Sequence, residues 1–203
     1  MSFKISKNFL NSDWQNLNIT DDNSNNWPDA ISIIKERFES RFFDQISQIR
    51  GDEFSGFVIM SIDCLIIETM MQFYLGIDNT EEVYKGKQWE VFRDFFTQSR
   101  YFNMAFNTDE VCQVFYKQFR CGLLHQAQTK GKSLIRVYGS DFLSLADVND
   151  VKAGLIVDRH QFHKSLLLEF GDYIEKLTHN NDNFNGQNLR KNSILKMNLI
   201  CSG

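Results

Sequence analysis

The sequence predicts one mostly α-helical domain, and three observations support this. Phe occurs 19 times and Pro once, a composition that suits packed helices because an interior Pro breaks a helix. Apolar residues recur at helical spacing along most of the chain. A length of 203 residues with 42% hydrophobic residues is enough for one sizeable core. We therefore expect an all-α fold, a helical bundle of about five main helices with a small β-hairpin or irregular insert.

The bundle is expected to lie between two less regular ends. Residues 1–26 are polar and Asn-rich and predict an irregular lead-in. Residues 27–178 carry the helical pattern and form the predicted domain. Residues 179–203 predict a flexible linker and a short closing helix or tail.

The first two main helices are marked by their ends. Pro28 stands where a first helical turn tolerates it, and Gly51-Asp52 ends the first helix. The second helix, from about Phe54 to Leu75, is apolar nearly all round. That pattern is typical of a helix against which others pack, so we expect it at the centre of the bundle. Gly76 is its expected C-cap.

The remaining helices flank the insert. A third helix is expected near 87–101. Thr108 or Asp109 can cap a fourth, which runs from about 110 to 130 and ends at Gly131.

The stretch 133–157 changes period and predicts the hairpin or irregular insert. Asp158 followed by Gln161 resembles a capping box and begins a last long helix that extends to Leu177.

Composition argues against several classes of protein. A net charge of −4 argues against a protein that coats nucleic acid through bulk charge. The four Cys residues show no CxxC spacing, which indicates reduced thiols and a cytoplasmic location. The N-terminal residues lack the apolar segment of a signal peptide. The run 54–76 is long enough to span a membrane, but Asp63 and Glu68 within it favour a buried helix.

The most informative chemical signal is Arg120 with His125 in the predicted fourth helix. Five helical positions turn about 500°, which leaves the two side chains about 140° apart. They therefore do not share one face. They could flank a cleft, especially one closed by a second copy of the helix. Gly122 between them lets another backbone approach closely.

The segment around this pair is basic. No Asp or Glu occurs from position 111 to 140, whereas five basic residues do: Lys117, Arg120, Lys130, Lys132 and Arg136. This local positive charge suits phosphate and predicts RNA binding by the four residues other than Arg120. Beside a phosphate, His125 can transfer the proton that RNA cleavage requires. Arg120 can stabilise charge on phosphorus, and no metal or cofactor is needed.

Two acidic residues of the second helix are candidates to support the pair. Asp63 and Glu68 lie in the most apolar helix, where carboxylates are rarely left unpaired. Either can orient Arg120 and leave His125 for proton transfer. The alternative is a structural ion pair or exposure at the helix edge. An Arg and a His at this spacing also occur often by chance, as surface or packing residues.

Other residues allow other chemistry. His160 and His163 lie one turn apart and could ligate a metal. No Cys or carboxylate cluster of suitable spacing accompanies them, so we expect instead a solvated basic first turn that helps bind RNA. Cys121 shares a face with His125, as in a Cys–His nucleophile, but nothing supplies an oxyanion hole or a third member.

The segment RCGLLH at 120–125, with the apolar, acid-bearing SIDCLIIET at 61–69, resembles the HEPN superfamily (higher eukaryote and prokaryote nucleotide-binding domains). The resemblance covers about residues 28–178. Helical members have an R-x4–6-H motif late in the bundle, which Arg120 and His125 match, and many are metal-independent endoribonucleases. The resemblance implies a homodimer whose two motifs face each other, RNA as substrate, and a toxin or phage-defence role with an antitoxin as a candidate partner.

One position departs from the family pattern. Active members commonly have a polar residue directly after the arginine, and this chain has Cys121 there. The departure favours an alternative function, a catalytically inactive HEPN-like module that binds nucleotides or proteins. A purely structural helical protein is a third alternative.

Overall fold

The computed structural model describes residues 1–49, 54–139, 141–180, 183–184 and 186–202, and these residues are mostly helical, as predicted. The predicted helix end at Gly51-Asp52 and part of the predicted linker lie outside the described residues. The chain divides into two compact units. The terminal unit comprises Met1–Gln48, Thr69–Val83 and Phe170–Gly203, and the middle unit comprises Ile49–Glu68 and Tyr84–Glu169.

The helices are, in chain order, α1 (Asn11–Asn16), α2 (Trp27–Phe38), α3 (Asp44–Ser47), α4 (Ser55–Leu75), α5 (Glu81–Tyr84), α6 (Trp89–Gln98), α7 (Asp109–Phe115), α8 (Cys121–Gln126), α9 (Arg159–His179) and α10 (Leu189–Ser202). Two π-helical segments join α2 to α3 and α7 to α8: Glu39–Phe43 and Tyr116–Arg120. The strands are β1 (Leu134–Arg136), β2 (Leu143–Leu145), β3 (Leu155–Asp158), β4 (Asn183–Phe184) and β5 (Gln187–Asn188).

The terminal unit has an aromatic core. The Phe38 ring lies 5.2 Å from the ring of Phe73 and 4.8 Å from that of Phe170. The lead-in is less irregular than the polar sequence indicated, because it forms α1. Trp14 of α1 is buried and its Nε1 donates a hydrogen bond to Asn198 Oδ1 at 2.8 Å. Burial of this large apolar side chain helps to anchor a short polar helix.

Two helix boundaries predicted from the sequence, the start of α2 and the end of α4, are present in this unit. Pro28 lies in the first turn of α2. Gly76 follows α4 with φ +69°, a conformation that favours Gly, and its N–H bonds to the carbonyl of Gln72. The closing segment is a helix of 14 residues rather than a tail.

The middle unit contains most of the Phe residues. The fully buried rings are Phe92, Phe95, Phe96, Phe102, Phe106, Phe115, Phe119 and Phe162. Phe115 of α7 is nearly parallel to Phe162 of α9, with centroids 5.4 Å apart. Thr108 caps α7, as predicted, by accepting a hydrogen bond from the Val111 amide. These contacts fix the direction in which the chain enters the segment that carries Arg120.

The predicted insert is a three-stranded mixed sheet rather than a hairpin. Strand β3 is central, parallel to β1 and antiparallel to β2. The parallel pair could not be read from local turn signals, because it joins strands that are distant in sequence. Asp158 ends β3 and accepts a hydrogen bond from the Gln161 amide at 2.9 Å, which confirms the predicted cap of α9.

Helix α4 is apolar and long, and it contributes residues to both units. Within the described residues it is the one helix with the length and composition of a membrane span, and 56% of its most apolar window is buried. That burial is consistent with a core helix of a soluble protein. The burial is uneven, since Ile66 is fully buried while Leu65 is 47% exposed.

Candidate active site

The candidate site lies where α7 passes into α8. The connecting residues, Tyr116–Arg120, form a π-helical turn, a distortion that is frequent at functional sites. The α-helical hydrogen bonding resumes at Cys121, so Arg120 is the last residue of the distorted turn. Helix α8 then ends four residues earlier than predicted, because Ala127 adopts a left-handed conformation with φ +53°.

Gly122 permits this early turn. The Cβ of any other residue at position 122 would lie 2.5 Å from the carbonyl oxygen of Gln128. The close backbone approach expected at Gly122 is therefore present, and it involves the chain's own returning segment. The Lys130 amide also bonds to the Gln118 carbonyl at 2.9 Å, which holds that segment against the helix.

Arg120 is held by Glu68 of α4. Arg120 Nε and Nη2 donate to Glu68 Oε1 and Oε2 at 2.6 and 3.2 Å, a two-point contact. The side chains are 22% and 18% exposed. Burial acts to lower the pKa of Arg120, but the hydrogen bond and charge of Glu68 outweigh it and raise the pKa above its usual value. Arg120 is therefore a fixed cation at the edge of the unit.

Tyr116 completes the surroundings of Arg120. The guanidinium carbon lies 5.7 Å from the centre of the Tyr116 ring, within reach of a cation–π contact. Burial and a hydrogen bond with Cys121 raise the pKa of Tyr116 to about 12, so the phenol stays protonated near neutral pH. The described residues show no hydrogen bond between Cys121 and His125. A Cys–His nucleophile has no support in this geometry.

His125 lies in the last turn of α8 and is exposed. Among the described parts of the chain, no hydrogen bond or ion pair holds its ring. The structure therefore combines a fixed, partly buried Arg120 with an exposed His125.

Asp63, the other candidate to support Arg120, contacts His163 instead. Asp63 is fully buried, and its Oδ1 lies 2.7 Å from His163 Nδ1. Five positions on α4 separate Asp63 from Glu68, so the two carboxylates point about 140° apart. Burial raises the pKa of Asp63, and the hydrogen bond and charge of His163 oppose that rise. The expectation that Asp63 supports Arg120 is wrong, as is the expectation that His163 is solvated.

The basic residues of the segment are less concentrated in space than in sequence. Lys132 Nζ lies 3.7 Å from Asp147 Oδ2. Lys117 lines an open cavity of about 470 Å³ whose wall includes the acidic residues Asp109 and Glu110. Lys130 is partly exposed, and Arg136, on β1, is exposed. A stretch without acids in the sequence thus acquires acidic neighbours from α7 and from the loop before β3.

His160 and His163 do not form a metal site. His163 bonds to Asp63, whereas His160 is exposed and its ring lies 5.8 Å from that of Tyr138. Within the described ranges, no group of three His, Cys, Asp or Glu residues is arranged to hold a metal ion. Neither Tyr116 nor Tyr138 was predicted from the sequence as a site residue. Tyr116 lies four positions before Arg120, a spacing that could have indicated the contact.

No family model matches this chain, and neither the curated proteins nor the solved structures contain a significant match to it.

Proposed function

We propose that this protein is a metal-independent endoribonuclease that cuts single-stranded RNA and leaves a 2′,3′-cyclic phosphate. One observation carries the proposal: Glu68 fixes Arg120 through Nε and Nη2, while the described residues make no hydrogen bond to its Nη1. A held cation with one open donor edge is suited to a phosphate oxygen. The exposed His125, five positions later, supplies an imidazole that can accept or donate a proton.

The proposed reaction needs only the RNA and side chains. The 2′-hydroxyl oxygen attacks the adjacent phosphorus as an imidazole takes the hydroxyl proton, and the bond from phosphorus to the 5′-oxygen breaks. A protonated imidazole gives its proton to that leaving oxygen. Arg120 donates hydrogen bonds to the phosphate oxygens as their charge increases. In a homodimer, the His125 residues of the two copies can serve as the base and the acid.

The proposal extends to the location, assembly and biological role of the protein. We place the enzyme in the cytoplasm, as a homodimer with the two α8 helices near the symmetry axis, and in a toxin or phage-defence system that includes an antitoxin. The support is the resemblance of residues 120–125 and 61–69 to HEPN ribonucleases, together with the contact between Glu68 and Arg120.

The test is cleavage of single-stranded RNA by purified protein in excess EDTA. His125→Ala should lower the rate by about 10²–10⁴-fold, and Arg120→Ala should lower it comparably. Two matched controls should cut like wild type. His179→Ala removes an exposed His of the terminal unit, and Arg93→Ala removes a partly buried Arg that pairs with Asp94 at 2.8 Å. Cys121→Asn, which restores the polar residue common in active relatives, should hold or raise the rate.

The second candidate is a catalytically inactive module that binds nucleotides or proteins. Two observations favour it: the charge of Arg120 is already balanced by Glu68, and Cys121 stands where active HEPN members commonly have a polar residue. RNA binding that weakens in Arg120→Ala, without cleavage by wild type, would favour this module over the enzyme.

A further inference from the structure

A second surface of the middle unit carries an exposed aromatic pair, Tyr138 and His160. Their ring centroids lie 5.8 Å apart, and the ring planes are 23° from parallel. Tyr138 is 84% exposed, and His160 is also exposed. Because aromatic rings gain free energy when covered, a stacked pair left this open indicates a surface that contacts a partner.

The register of the small sheet brings the two rings together. Strands β1 and β3 are parallel, with Arg136 opposite Asp158. Tyr138 lies two residues after Arg136, and His160 lies two residues after Asp158. The two rings therefore lie next to each other, just beyond the paired ends of β1 and β3. Lys164 lies one helical turn beyond His160 on α9, on the same face. Residues that are far apart in sequence thus form one cluster.

Two cations of this cluster are exposed to solvent. Arg136 and Lys164 are exposed, and neither forms an ion pair within the described part of the chain. Asp158 is buried, and its carboxylate accepts a hydrogen bond from the Gln161 amide at the start of α9. Asp141 is an exposed acid in the nearby loop, so the exposed charges named here are two cations and one acid.

We propose that Tyr138, His160, Arg136 and Lys164 form a stacking platform for single-stranded nucleic acid. One base stacks on the open face of the Tyr138 ring, and the two cations contact the phosphates on either side of it. Aromatic faces flanked by basic groups bind single strands in this way, whereas a duplex keeps its base faces stacked internally. The platform would hold the substrate of the proposed ribonuclease, but it does not depend on cleavage chemistry.

The platform is tested by binding of the full chain to a fluorescently labelled, single-stranded 2′-O-methyl RNA 12-mer in excess EDTA. The dissociation constant is measured by fluorescence anisotropy. This RNA lacks the 2′-hydroxyl nucleophile, so a failure of the cleavage proposal would leave the binding result unaffected. Tyr138→Ala should weaken binding by about 5- to 150-fold, the range for loss of one stacked base. Tyr138→Phe should bind like wild type, and so should Met104→Ala, which alters an equally open side chain at 86% exposure.

The two cations are tested by salt dependence. Arg136→Ala and Lys164→Ala should each reduce the slope of log K against log salt by about 0.7, the value for one phosphate contact on a single strand. Tyr138→Ala binding as tightly as wild type would overturn the platform, and so would a duplex that competes as well as the single strand. Binding to phosphatidylserine vesicles with none to the 12-mer would overturn the nucleic-acid assignment in favour of a membrane surface.

Discussion

Glu68 accepts two hydrogen bonds from Arg120, and this contact joins α4 to the π-helical turn before α8. A salt bridge fixed at two points restricts the guanidinium more than a single bond would. Arg120 is therefore positioned before any ligand arrives, and the loss of Glu68 should affect both stability and function.

Glu68→Gln should destabilise the protein by about 1–3 kcal/mol, the usual cost of leaving a partly buried charged group without its partner. The measurement is urea unfolding at neutral pH. Glu90→Gln is the matched control: Glu90 is 20% exposed and lies 3.5 Å from Arg93, and an ion pair this loose should contribute under about 1 kcal/mol. A Glu68→Gln protein as stable as wild type would show that the ion pair between Glu68 and Arg120 does not stabilise the fold.

Ile66→Ala and Leu65→Ala should differ sharply although both lie in the apolar helix α4. Ile66 is fully buried, and its truncation should cost about 2–5 kcal/mol. Leu65 is 47% exposed, and its truncation should change stability by about 0.5 kcal/mol or less. Equal losses in the two variants, measured by urea unfolding, would contradict the observed orientation of the helix.

Asp63→Asn should change how stability depends on pH. Burial raises the pKa of Asp63, so the folded protein keeps the proton at a pH where the unfolded chain, with a pKa of about 3.9, has lost it. Asp63 therefore stabilises the fold below that value, and its contribution is lost as pH rises through the folded-state pKa. The stability of Asp63→Asn relative to wild type should increase with pH from about 4 upward. A relative stability that falls over this range would mean that His163 lowers the pKa instead.

Leu124→Arg should disrupt the proposed dimer. Leu124 is 46% exposed on α8 and lies one turn after Arg120, so a charge there would face the second copy. Wild type should sediment at micromolar concentration with twice the 23.8 kDa mass of one chain, and the variant as a monomer. Leu199→Arg, at a 40% exposed position of α10, should leave the dimer intact. A monomeric wild type would contradict the proposed assembly.

The sequence predicted the long helices well because their signals are local. Apolar spacing located α4 and α9, and Thr108, Gly76 and Asp158 acted as the predicted caps. The contact between Glu68 and Arg120 was one of two expected options. Choosing between Asp63 and Glu68 required the orientation of α4, which a helix apolar nearly all round does not reveal.

Other features depended on contacts between distant segments. The parallel pairing of β1 with β3 brings Tyr138 beside His160, and no local pattern specifies that pairing. The π-helical turn at 116–120 and the left-handed Ala127 also escaped prediction. A residue such as Ala rarely marks a helix end, and here the packing of the returning chain against Gly122 accompanies it.

The central claim, metal-independent RNA cleavage by Arg120 and His125, is tested most directly by the chemistry of the new RNA ends. Single-stranded RNA is incubated with wild type or His125→Ala in excess EDTA, and the termini are mapped. Wild type should produce 2′,3′-cyclic phosphate and 5′-hydroxyl ends, and His125→Ala should produce at least about 10²-fold fewer. Equal numbers of such ends from both proteins, or cleavage that requires a divalent metal, would contradict the claim.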